Sequence, residues 1–333
     1  MKKNFIFLIL ALILCVGFFI FLESKKTVII ESDFKNVDSI ITEKKDSKIN
    51  LMAVGDIMLD RGVEFMIQKE GSSDFRFSFL KIKNYLGKAD ILFGNLESVV
   101  SDKGYKQGSI YSFRADPRAV EGLLYSGFDI VSTTNNHAFD YGKTALLDSL
   151  ERLKKSGIEY VGAGIDENEA FSLKIKEIKN TKIGFLAYDN VGTENWKAVG
   201  DKPGIAFLDN KNLEKVKNDI SKARKQVDVL AVSMHWGDEY LEKPNLIQKK
   251  LAKEILNAGA DIIIGSHPHV VEDLEEYNGK WVAYSLGNFV FDQYFSESTM
   301  QGGILEITIE SKKIKSAVLK IIKINQFYQP ELR

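Results

Sequence analysis

The sequence predicts an α/β fold in which helices cover both faces of the strands. The main observation is a recurring unit: a helix-period segment, a break that usually carries glycine, a short β-branched run and a polar cluster. The units span residues 79–97, 118–137, 146–162, 212–235 and 247–269. Their strands are nearly continuous apolar runs, which is typical of parallel strands buried on both faces. The polar clusters are therefore expected at the carboxyl ends of the strands, where open α/β sheets bind ligands.

The N-terminal segment predicts a membrane anchor. An uncharged, mostly apolar run at residues 5–22 lies between lysines, and its 18 residues approach the length that spans a bilayer as a helix. A signal peptidase requires small residues near its cut, and residues 18–22 supply none. We therefore predict an uncleaved, single-pass transmembrane helix within residues 1–26, with the rest of the chain outside the cell. Cys15 lies in this run, so the remainder forms no disulfide.

Two further segments complete the domain organisation. Residues 27–49 lack glycine, proline and sustained periodicity, and are predicted to form a charged stalk. Residues 50–333 form the functional domain, whose alternating runs around a polar turn at 310–313 predict a C-terminal antiparallel hairpin that completes a sheet edge. The chain has 45 basic and 46 acidic residues, which gives no electrostatic footprint for nucleic acid.

The candidate functional residues are polar side chains that follow predicted strands. All four histidines have this placement: His137, His235, His267 and His269. The segment Gly-Ser-His-Pro-His at 265–269 is the sharpest feature, because two histidines one residue apart on an extended segment point the same way. Imidazole is a common metal ligand and a natural acid or base near neutral pH. We therefore predict a shared site, the alternative being a pair of histidines that hydrogen-bond to loop carbonyls.

Oxygen-bearing side chains occur in the same clusters. They are Asp56, Asn95, Glu97, Asn135, Asn136 and Asp140, each of which alone is also explained by a turn or a helix cap. With the histidines they form a mixed O and N donor set that suits one or two divalent ions of Mn, Fe or Zn. Trp236 and Glu239 are candidates for substrate binding, although Trp236 is alternatively a cap on the sheet. Asn288 is either a turn residue or a site residue.

In this order, the clusters resemble the CapA/PgsA family of poly-γ-glutamate capsule biosynthesis proteins, which is related to calcineurin-like metallophosphoesterases. The matching motifs are Ala-Val-Gly-Asp-Ile-Met-Leu at 53–59, Gly-Asn-Leu-Glu at 94–97, Thr-Asn-Asn-His-Ala-Phe-Asp-Tyr-Gly at 134–142, Met-His-Trp-Gly at 234–237, Gly-Ser-His-Pro-His at 265–269 and Tyr-Ser-Leu-Gly-Asn-Phe at 284–289. The resemblance implies a metallophosphoesterase-like α/β/β/α four-layer sandwich.

The resemblance also implies roles for individual residues. The metal ligands would be Asp56, Asn136, His235, His267 and His269, and the catalytic residues His137, at the general-acid position, and Asp140. Asn95 and Asn135 would contact substrate. The chain departs from the wider phosphoesterase pattern at Met58, where a ligand histidine is expected, and at Asn95, where an aspartate bridges two metals. Glu97 could replace that bridge. A one-metal centre, an altered metal pair and a metal-free site remain open.

The function implied is capsule biosynthesis or export by a membrane-anchored extracellular protein. Its partners would be the membrane, the anionic polymer and capsule synthase or transport proteins. The polymer would need cationic contacts, for which the candidates are Lys103, Lys106, Arg114 and Arg118. Two alternatives belong to other classes: a metal-dependent phosphoesterase acting on an envelope substrate, and a non-catalytic scaffold for synthase or transport partners. If the site is hydrolytic, His137 protonates the leaving group.

Overall fold

Two stacked β-sheets, of eight and six strands, form the centre of the chain in the computed structural model, which describes residues 48–333. The strands, in chain order, are β1 (Ile49–Ile57), β2 (Ile91–Leu96), β3 (Val99–Val100), β4 (Arg114–Ala115), β5 (Ile130–Ser132), β6 (Glu159–Val161), β7 (Ala163–Gly164), β8 (Lys174–Ile178), β9 (Thr181–Asp189), β10 (Gly204–Ile205), β11 (Val229–His235), β12 (Ile262–Ser266), β13 (Leu274–Tyr277), β14 (Lys280–Ala283), β15 (Asn288–Val290), β16 (Gln301–Glu310), β17 (Lys313–Ile324) and β18 (Pro330–Leu332).

The larger sheet has the order β18-β17-β16-β1-β2-β5-β6, and β15 pairs with the end of β1. Strands β1, β2, β5 and β6 run parallel, as the recurring units predicted. The predicted hairpin is confirmed: β16 and β17 pair antiparallel through a turn in which Ser311 and Lys312 have φ values of 50° and 65°. Positive φ at both central residues matches the twist of a two-residue hairpin. Because β16 also pairs with β1, the hairpin extends the sheet beside the strand that carries Asp56.

The smaller sheet has the order β13-β14-β12-β11-β9-β8. Strands β9, β11, β12 and β14 run parallel, and β8 and β13 are antiparallel edge strands. Successive side chains point to opposite faces of a strand. In β11, Val229 and Ala231 face the larger sheet, while Leu230 and Val232 face the helices. The central strands of this sheet are therefore buried on both faces, which explains why β11 and β12 are continuous apolar runs.

Helices cover the outer face of each sheet. They are α1 (Arg61–Lys69), α2 (Lys83–Leu86), α3 (Ala119–Ser126), α4 (Gly142–Ser156), α5 (Glu167–Ala170), α6 (Leu213–Arg224) and α7 (Leu246–Ala258), with 3-10 turns at Phe75–Phe79, Glu194–Trp196 and Ser298–Met300. Helices α1, α3 and α4 pack on the larger sheet, and α6 and α7 pack on the smaller. Between the sheets, Phe93 stacks on Phe185 with ring centroids 5.7 Å apart. The layers are thus helix, sheet, sheet and helix.

Local sequence signals explain where the longer helices begin and end. Asn245 and Gln248 form a reciprocal capping box at the start of α7. Gly127 and Gly157 end α3 and α4 with φ values of 87° and 84°, a left-handed conformation that glycine adopts without steric cost. These ends turn the chain directly into β5 and β6.

The N-terminal predictions concern residues that the structure does not describe. The predicted anchor at 1–26, and all but the end of the predicted stalk at 27–49, lie outside the described residues 48–333. Within that described range, no helix combines the length and the apolar character that crossing a bilayer requires.

Candidate metal centre

Polar side chains from both sheets meet at the carboxyl ends of the parallel strands. The larger sheet contributes Asp56 from β1 and Glu97 directly after β2. The smaller sheet contributes His235 at the end of β11, and two further histidines from the turn after β12. The ring centroids of His235 and His267 are 4.8 Å apart, and His137 Nε2 lies 3.9 Å from Glu97 Oε1. All four histidines therefore belong to one cluster.

Asp56, Glu97 and His235 form a buried group with the geometry of a cation site. One ligand atom of each lies within 4.8 Å of the others. Glu97 Oε1 has no hydrogen-bond partner among residues 48–333. Burial, and then the neighbouring Asp56 carboxylate, raises the pKa of Glu97 well above its ordinary value. Two buried carboxylates this close are compatible either with a proton retained on one of them or with a positive counter-charge, which a divalent ion would supply.

Asn95 holds the two carboxylates together. Its Nδ2 donates to Asp56 Oδ1 at 2.8 Å and to Glu97 Oε2 at 3.1 Å. An aspartate here would add a third negative charge to the buried group, whereas the amide donates to both neighbours. Asn95 is 2% exposed and lies beneath the cluster. That Asn95 contacts substrate stays a prediction.

His235 is positioned to share a cation with Asn136. Its Nδ1 lies 3.0 Å from Ser266 Oγ, and its Nε2 lies 2.8 Å from Asn136 Oδ1. The direction of the 2.8 Å hydrogen bond depends on the tautomer: Nε2–H donates to the amide oxygen when Nδ1 accepts from Ser266 Oγ or Asn95 Nδ2. Burial, and then the three other histidines, lowers the pKa of His235 well below its ordinary value, which keeps the ring neutral. In the other tautomer, with the proton on Nδ1, Nε2 and Asn136 Oδ1 are two acceptors that a positive ion can bridge.

His269 is oriented by Asn288. His269 Nδ1 lies 3.0 Å from Asn288 Oδ1, while Asn288 Nδ2 donates to the Thr299 carbonyl at 3.0 Å. The amide oxygen of Asn288 therefore faces the ring and accepts its Nδ1 proton, so that Nε2 keeps its lone pair. This is the usual way in which a neighbouring side chain fixes the tautomer of a ligating histidine. Asn288 thus positions His269 from a buried location within the site.

His137 and Asp140 form a hydrogen-bonded pair at the edge of the cluster. His137 Nδ1 lies 2.7 Å from Asp140 Oδ2, which also accepts the backbone N–H of Phe113 at 2.8 Å. The ring of Phe113 packs on the imidazole with centroids 4.0 Å apart. The carboxylate and the ring hold His137 with Nδ1 protonated and Nε2 directed towards Asn136. Such a pair can accept or donate a proton at Nε2.

A cavity of about 420 Å³ adjoins the cluster. His137, Glu239 and His269 line it on the cluster side. Its other walls are largely aromatic and are formed by Tyr111, Phe113, Tyr240, Tyr294 and Phe295. Among the described lining residues the one cation is Arg61, and its guanidinium forms an ion pair with Asp292. The cavity therefore offers an anionic ligand no unpaired lysine or arginine.

Asn135 and Trp236 support the fold and do not line this cavity. Asn135 Nδ2 donates to the Leu96 carbonyl at 2.9 Å, and its Oδ1 accepts the N–H of His137 at 3.1 Å. Trp236 is fully buried, and its Nε1 donates to the Tyr284 carbonyl at 2.8 Å. Because adjacent residues of an extended chain face opposite ways, His235 in the cluster places Trp236 in the core beneath the helices. Substrate contact by Asn135 and Trp236 stays a prediction, and their burial favours the alternative that Trp236 caps the sheet.

Arg61, Phe113 and Asp292 are among the cavity residues that were not predicted. Arg61 lies over the ring of Phe113, 4.7 Å from its centroid, and pairs with Asp292. Arg61 lies just after the motif at 53–59, and Asp292 lies just after the motif at 284–289. Their nearness to these motifs could have identified them from the sequence as candidate site residues. Phe113 lies in an irregular segment, where periodicity gives no information. Met58, at the position of the expected ligand histidine, is a fully buried core residue.

The two stacked sheets, with carboxylates and histidines at their strand ends, define a mixed α/β protein with a metallophosphoesterase-like fold. The fold is similar to that of a phosphatase from Mycoplasma pneumoniae, with a TM-score of 0.50 and 15% sequence identity over 84% of this chain and 96% of that chain. At this identity the similarity concerns the fold alone.

The chain belongs to the bacterial capsule synthesis protein family PGA_cap, whose model matches residues 50–293. It is 35% identical over 251 residues to the PGA biosynthesis protein CapA of Bacillus subtilis, covering 74% of this chain and 64% of that protein. It is 29% identical over 293 residues to the capsule biosynthesis protein CapA of Bacillus anthracis, covering 86% and 69%. The matched segment thus spans about two thirds of each relative's length. The family resemblance inferred from the motifs is confirmed.

Proposed function

We propose that this protein acts in poly-γ-glutamate capsule biosynthesis or export, anchored in the cell membrane with its site outside the cell. Membership of the PGA_cap family and the similarity to two CapA proteins support the capsule role. The apolar run at residues 5–22 supports the anchor. The partners in this role are the membrane, the anionic polymer or its precursor, and capsule synthase or transport proteins.

The proposed cofactor is a divalent ion of Mn, Fe or Zn. Glu97 Oε1 and His267 Nδ1 are both buried, and within the described part of the chain neither has a hydrogen-bond partner. The donors are carboxylates, an amide and imidazoles, a set that suits these metals. The residues that would hold the ion are Asp56, Glu97, Asn136, His235, His267 and His269. When bound, such an ion polarises a substrate oxygen and lowers the pKa of water.

The chain's own residues supply proton transfer and orientation. Asp140 keeps the Nδ1 proton of His137 in place, so a protonated ring donates from Nε2 to a leaving group in the cavity. One observation supports a hydrolytic role: the His137–Asp140 pair lies beside the buried cluster of carboxylates and imidazoles, at one cavity.

The same pair favours a second candidate, a metal-dependent phosphoesterase acting on an envelope substrate. Cleavage of a phosphoester or a γ-glutamyl amide requires stabilisation of developing negative charge and an acid for the leaving group. Lys103 is paired with Asp148, and Arg118 with Asp116, so these predicted polymer contacts already have anionic partners. Surface cations of this kind do not distinguish the two substrates.

Metal analysis and cleavage assays on the purified full chain test these proposals. We expect a bound divalent ion and cleavage of either poly-γ-glutamate or a phosphate ester, with both metal and cleavage reduced in His269→Ala. A wild-type chain with no metal and neither activity would contradict both hydrolytic forms. If His137→Ala restores capsule formation in a deletion strain as well as the wild type does, the protein is a non-catalytic scaffold. Fractionation of intact cells, with protease added outside, tests the anchor and its orientation.

A further inference from the structure

The cavity beside the cluster presents aromatic rings to solvent. Phe113 is buried in its wall, whereas four other aromatic side chains of the wall are exposed: Tyr111, Tyr240, Tyr294 and Phe295. Exposed apolar side chains gathered in one concave place mark a binding site. The cavity volume of about 420 Å³ lies within the range of pockets that take small ligands. The walls therefore favour a ligand with apolar faces.

The charged side chains of the wall favour a ligand that is neutral. Among the described residues that line the cavity, the one cation, Arg61, is outnumbered by two acids, Glu239 and Asp292. Arg61 is paired with Asp292, which leaves the charge of Glu239 in excess. An anionic segment placed against this wall would be repelled by the acids, whereas a neutral group would not.

The same charged groups can bind hydroxyl groups. Asp292 Oδ2 accepts from Arg61 Nε at 3.2 Å and from the Gly62 N–H at 2.9 Å, and the guanidinium also pairs with Asp292 through Nη2. A guanidinium has five N–H donors, so further donors remain for a ligand. The Glu239 carboxylate can accept hydroxyl protons. A ligand with several hydroxyl groups would therefore meet both donors and acceptors around the aromatic walls.

Hydrogen bonds join the aromatic wall to the cluster. Gln293 donates from Nε2 to the Tyr240 hydroxyl at 3.3 Å and accepts from Asn288 Nδ2 at 3.0 Å. Asn288 in turn orients His269. The rings of Tyr240 and Phe295 meet at 86°, with centroids 5.1 Å apart. This corner differs from a pair of parallel rings, between which a flat nucleobase would stack.

We propose that the cavity binds a saccharide unit of the substrate. A sugar ring has C–H faces that pack on aromatic rings, and hydroxyl groups around its edge that bind carboxylates, guanidinium groups and amides. These are the groups that this wall presents. The inference rests on the proposed function, since it takes the bound sugar to be the part of the substrate next to the cleaved bond. The substrate is then a molecule that contains a glycan, and not a poly-γ-glutamate segment alone.

Isothermal titration calorimetry of the full chain with neutral oligosaccharides tests this inference. The probes are the tetrasaccharides of N-acetylglucosamine and of glucose, in a detergent without a sugar headgroup. A chelator is present, so binding does not depend on a metal ion. We expect the wild type to bind at least one tetrasaccharide, with the same affinity at low and high salt, because screening acts between charges.

Variants of exposed side chains identify the place of binding. Tyr294→Ala should weaken tetrasaccharide binding about 10-fold, because a stacking ring is lost. Glu239→Gln should also weaken it about 10-fold, because hydrogen bonds to a charged acceptor are the stronger ones. Tyr277→Ala is the matched control, since Tyr277 is an exposed aromatic residue on β13 that does not line the cavity. It should bind as the wild type does, and all three variants are expected to fold.

The possible failures can be told apart. If neither tetrasaccharide binds, or if Tyr294→Ala binds as tightly as the wild type, the saccharide site is refuted, and metal content and cleavage still decide the proposed function. Adenosine that binds more tightly than both tetrasaccharides would make the cavity a nucleobase site and overturn the inference. Poly-γ-glutamate that displaces the tetrasaccharide, with an affinity that falls with salt, would overturn it as well. A chain that binds the saccharide and cleaves no substrate supports the site and contradicts the hydrolytic function.

Discussion

At the scale of single residues, the proposed hydrolytic chemistry depends on the pairing of His137 with Asp140. The carboxylate holds the Nδ1 proton at 2.7 Å, and Phe113 packs against the ring. Nε2 is then the atom that exchanges protons in the cavity. His137 is not among the proposed metal ligands, so its role can be tested without changing metal content.

His137→Asn is expected to lower kcat by about 10²–10⁴-fold, because the leaving group loses its acid. Steady-state kinetics on the cleaved substrate measures this loss, and elemental analysis should give an unchanged metal content. Asp140→Asn should also lower kcat, since an amide can orient the ring in the wrong tautomer. Wild-type kcat in both variants would show that another group donates the proton.

The sequence predicted the members of the cluster better than their individual roles. Each histidine and acid follows a strand, and the fold alone brings strand ends together. The roles of Asn95, Asn135 and Asn288 were not predictable, because they depend on neighbours from other strands. Asn288, for example, reaches His269 from β15, and 19 residues separate the two in the chain. Buried amides of this kind position other residues.

At the scale of secondary structure elements, β1 changes neighbours at Gly55. Up to Val54 it pairs with β16, and from Asp56 onwards with β15. A Cβ atom at residue 55 would lie 1.9 Å from the Gly287 carbonyl oxygen. Only glycine allows the two backbones to approach this closely, and this approach sets the position of the Asp56 carboxylate.

Gly55→Ala is expected to lower the free energy of unfolding by about 1–3 kcal/mol, because β1 and β15 must move apart. It should also weaken metal binding through Asp56. Denaturant unfolding and metal titration measure the two effects. Gly87→Ala is the matched control, since its nearest contact would be 3.5 Å away. If Gly55→Ala has wild-type stability, the close approach of these strands is wrong.

Element prediction succeeded where a pattern was long and failed where it was short. The strands of the recurring units and the hairpin of β16 and β17 carry clear periodicity. Strand β15 has only three residues, which are too few to show a period-2 pattern, yet it forms one side of the site. The 3-10 turn at Ser298–Met300 follows an irregular segment for which local propensity gives no assignment.

At the scale of the whole molecule, buried acids make stability depend on pH. Glu272 is buried, and its Oε2 accepts from Gln248 Nε2 at 2.7 Å. Burial raises the pKa of Glu272 from 4.5 to about 7. The folded chain therefore retains a proton that the unfolded chain releases near pH 4.5. The stabilisation from this group is complete below that pH and is lost as the pH rises to about 7.

Between pH 4.5 and about 7, the free energy of unfolding of Glu272→Gln is expected to fall by about 1–3 kcal/mol less than that of the wild type. Equilibrium unfolding of the metal-free chain, followed between pH 4.5 and about 7 in a chelator, measures the slope. Glu276→Gln, an exposed acid on β13, should keep the wild-type slope. A Glu272→Gln slope as steep as that of the wild type would mean that Glu272 is ionised in the folded state.

The layer architecture came from the family resemblance and not from periodicity. Five similar units predict parallel strands covered by helices. The same pattern of side chains is expected whether these strands form one sheet or two stacked sheets. The stacking of Phe93 on Phe185 decides between them, and these residues lie on different sheets. Long-range contacts of this kind leave no local pattern in the sequence.

The central claim is that strand ends from both sheets build a metal centre. Anomalous X-ray diffraction from crystals grown with Mn²⁺ tests it most directly. We expect an anomalous peak in bonding contact with Asp56, Glu97 and His235, in the cluster beside the cavity that His137 lines. Well-ordered crystals with no anomalous peak at these side chains, or with Mn²⁺ bound only elsewhere on the chain, would contradict it.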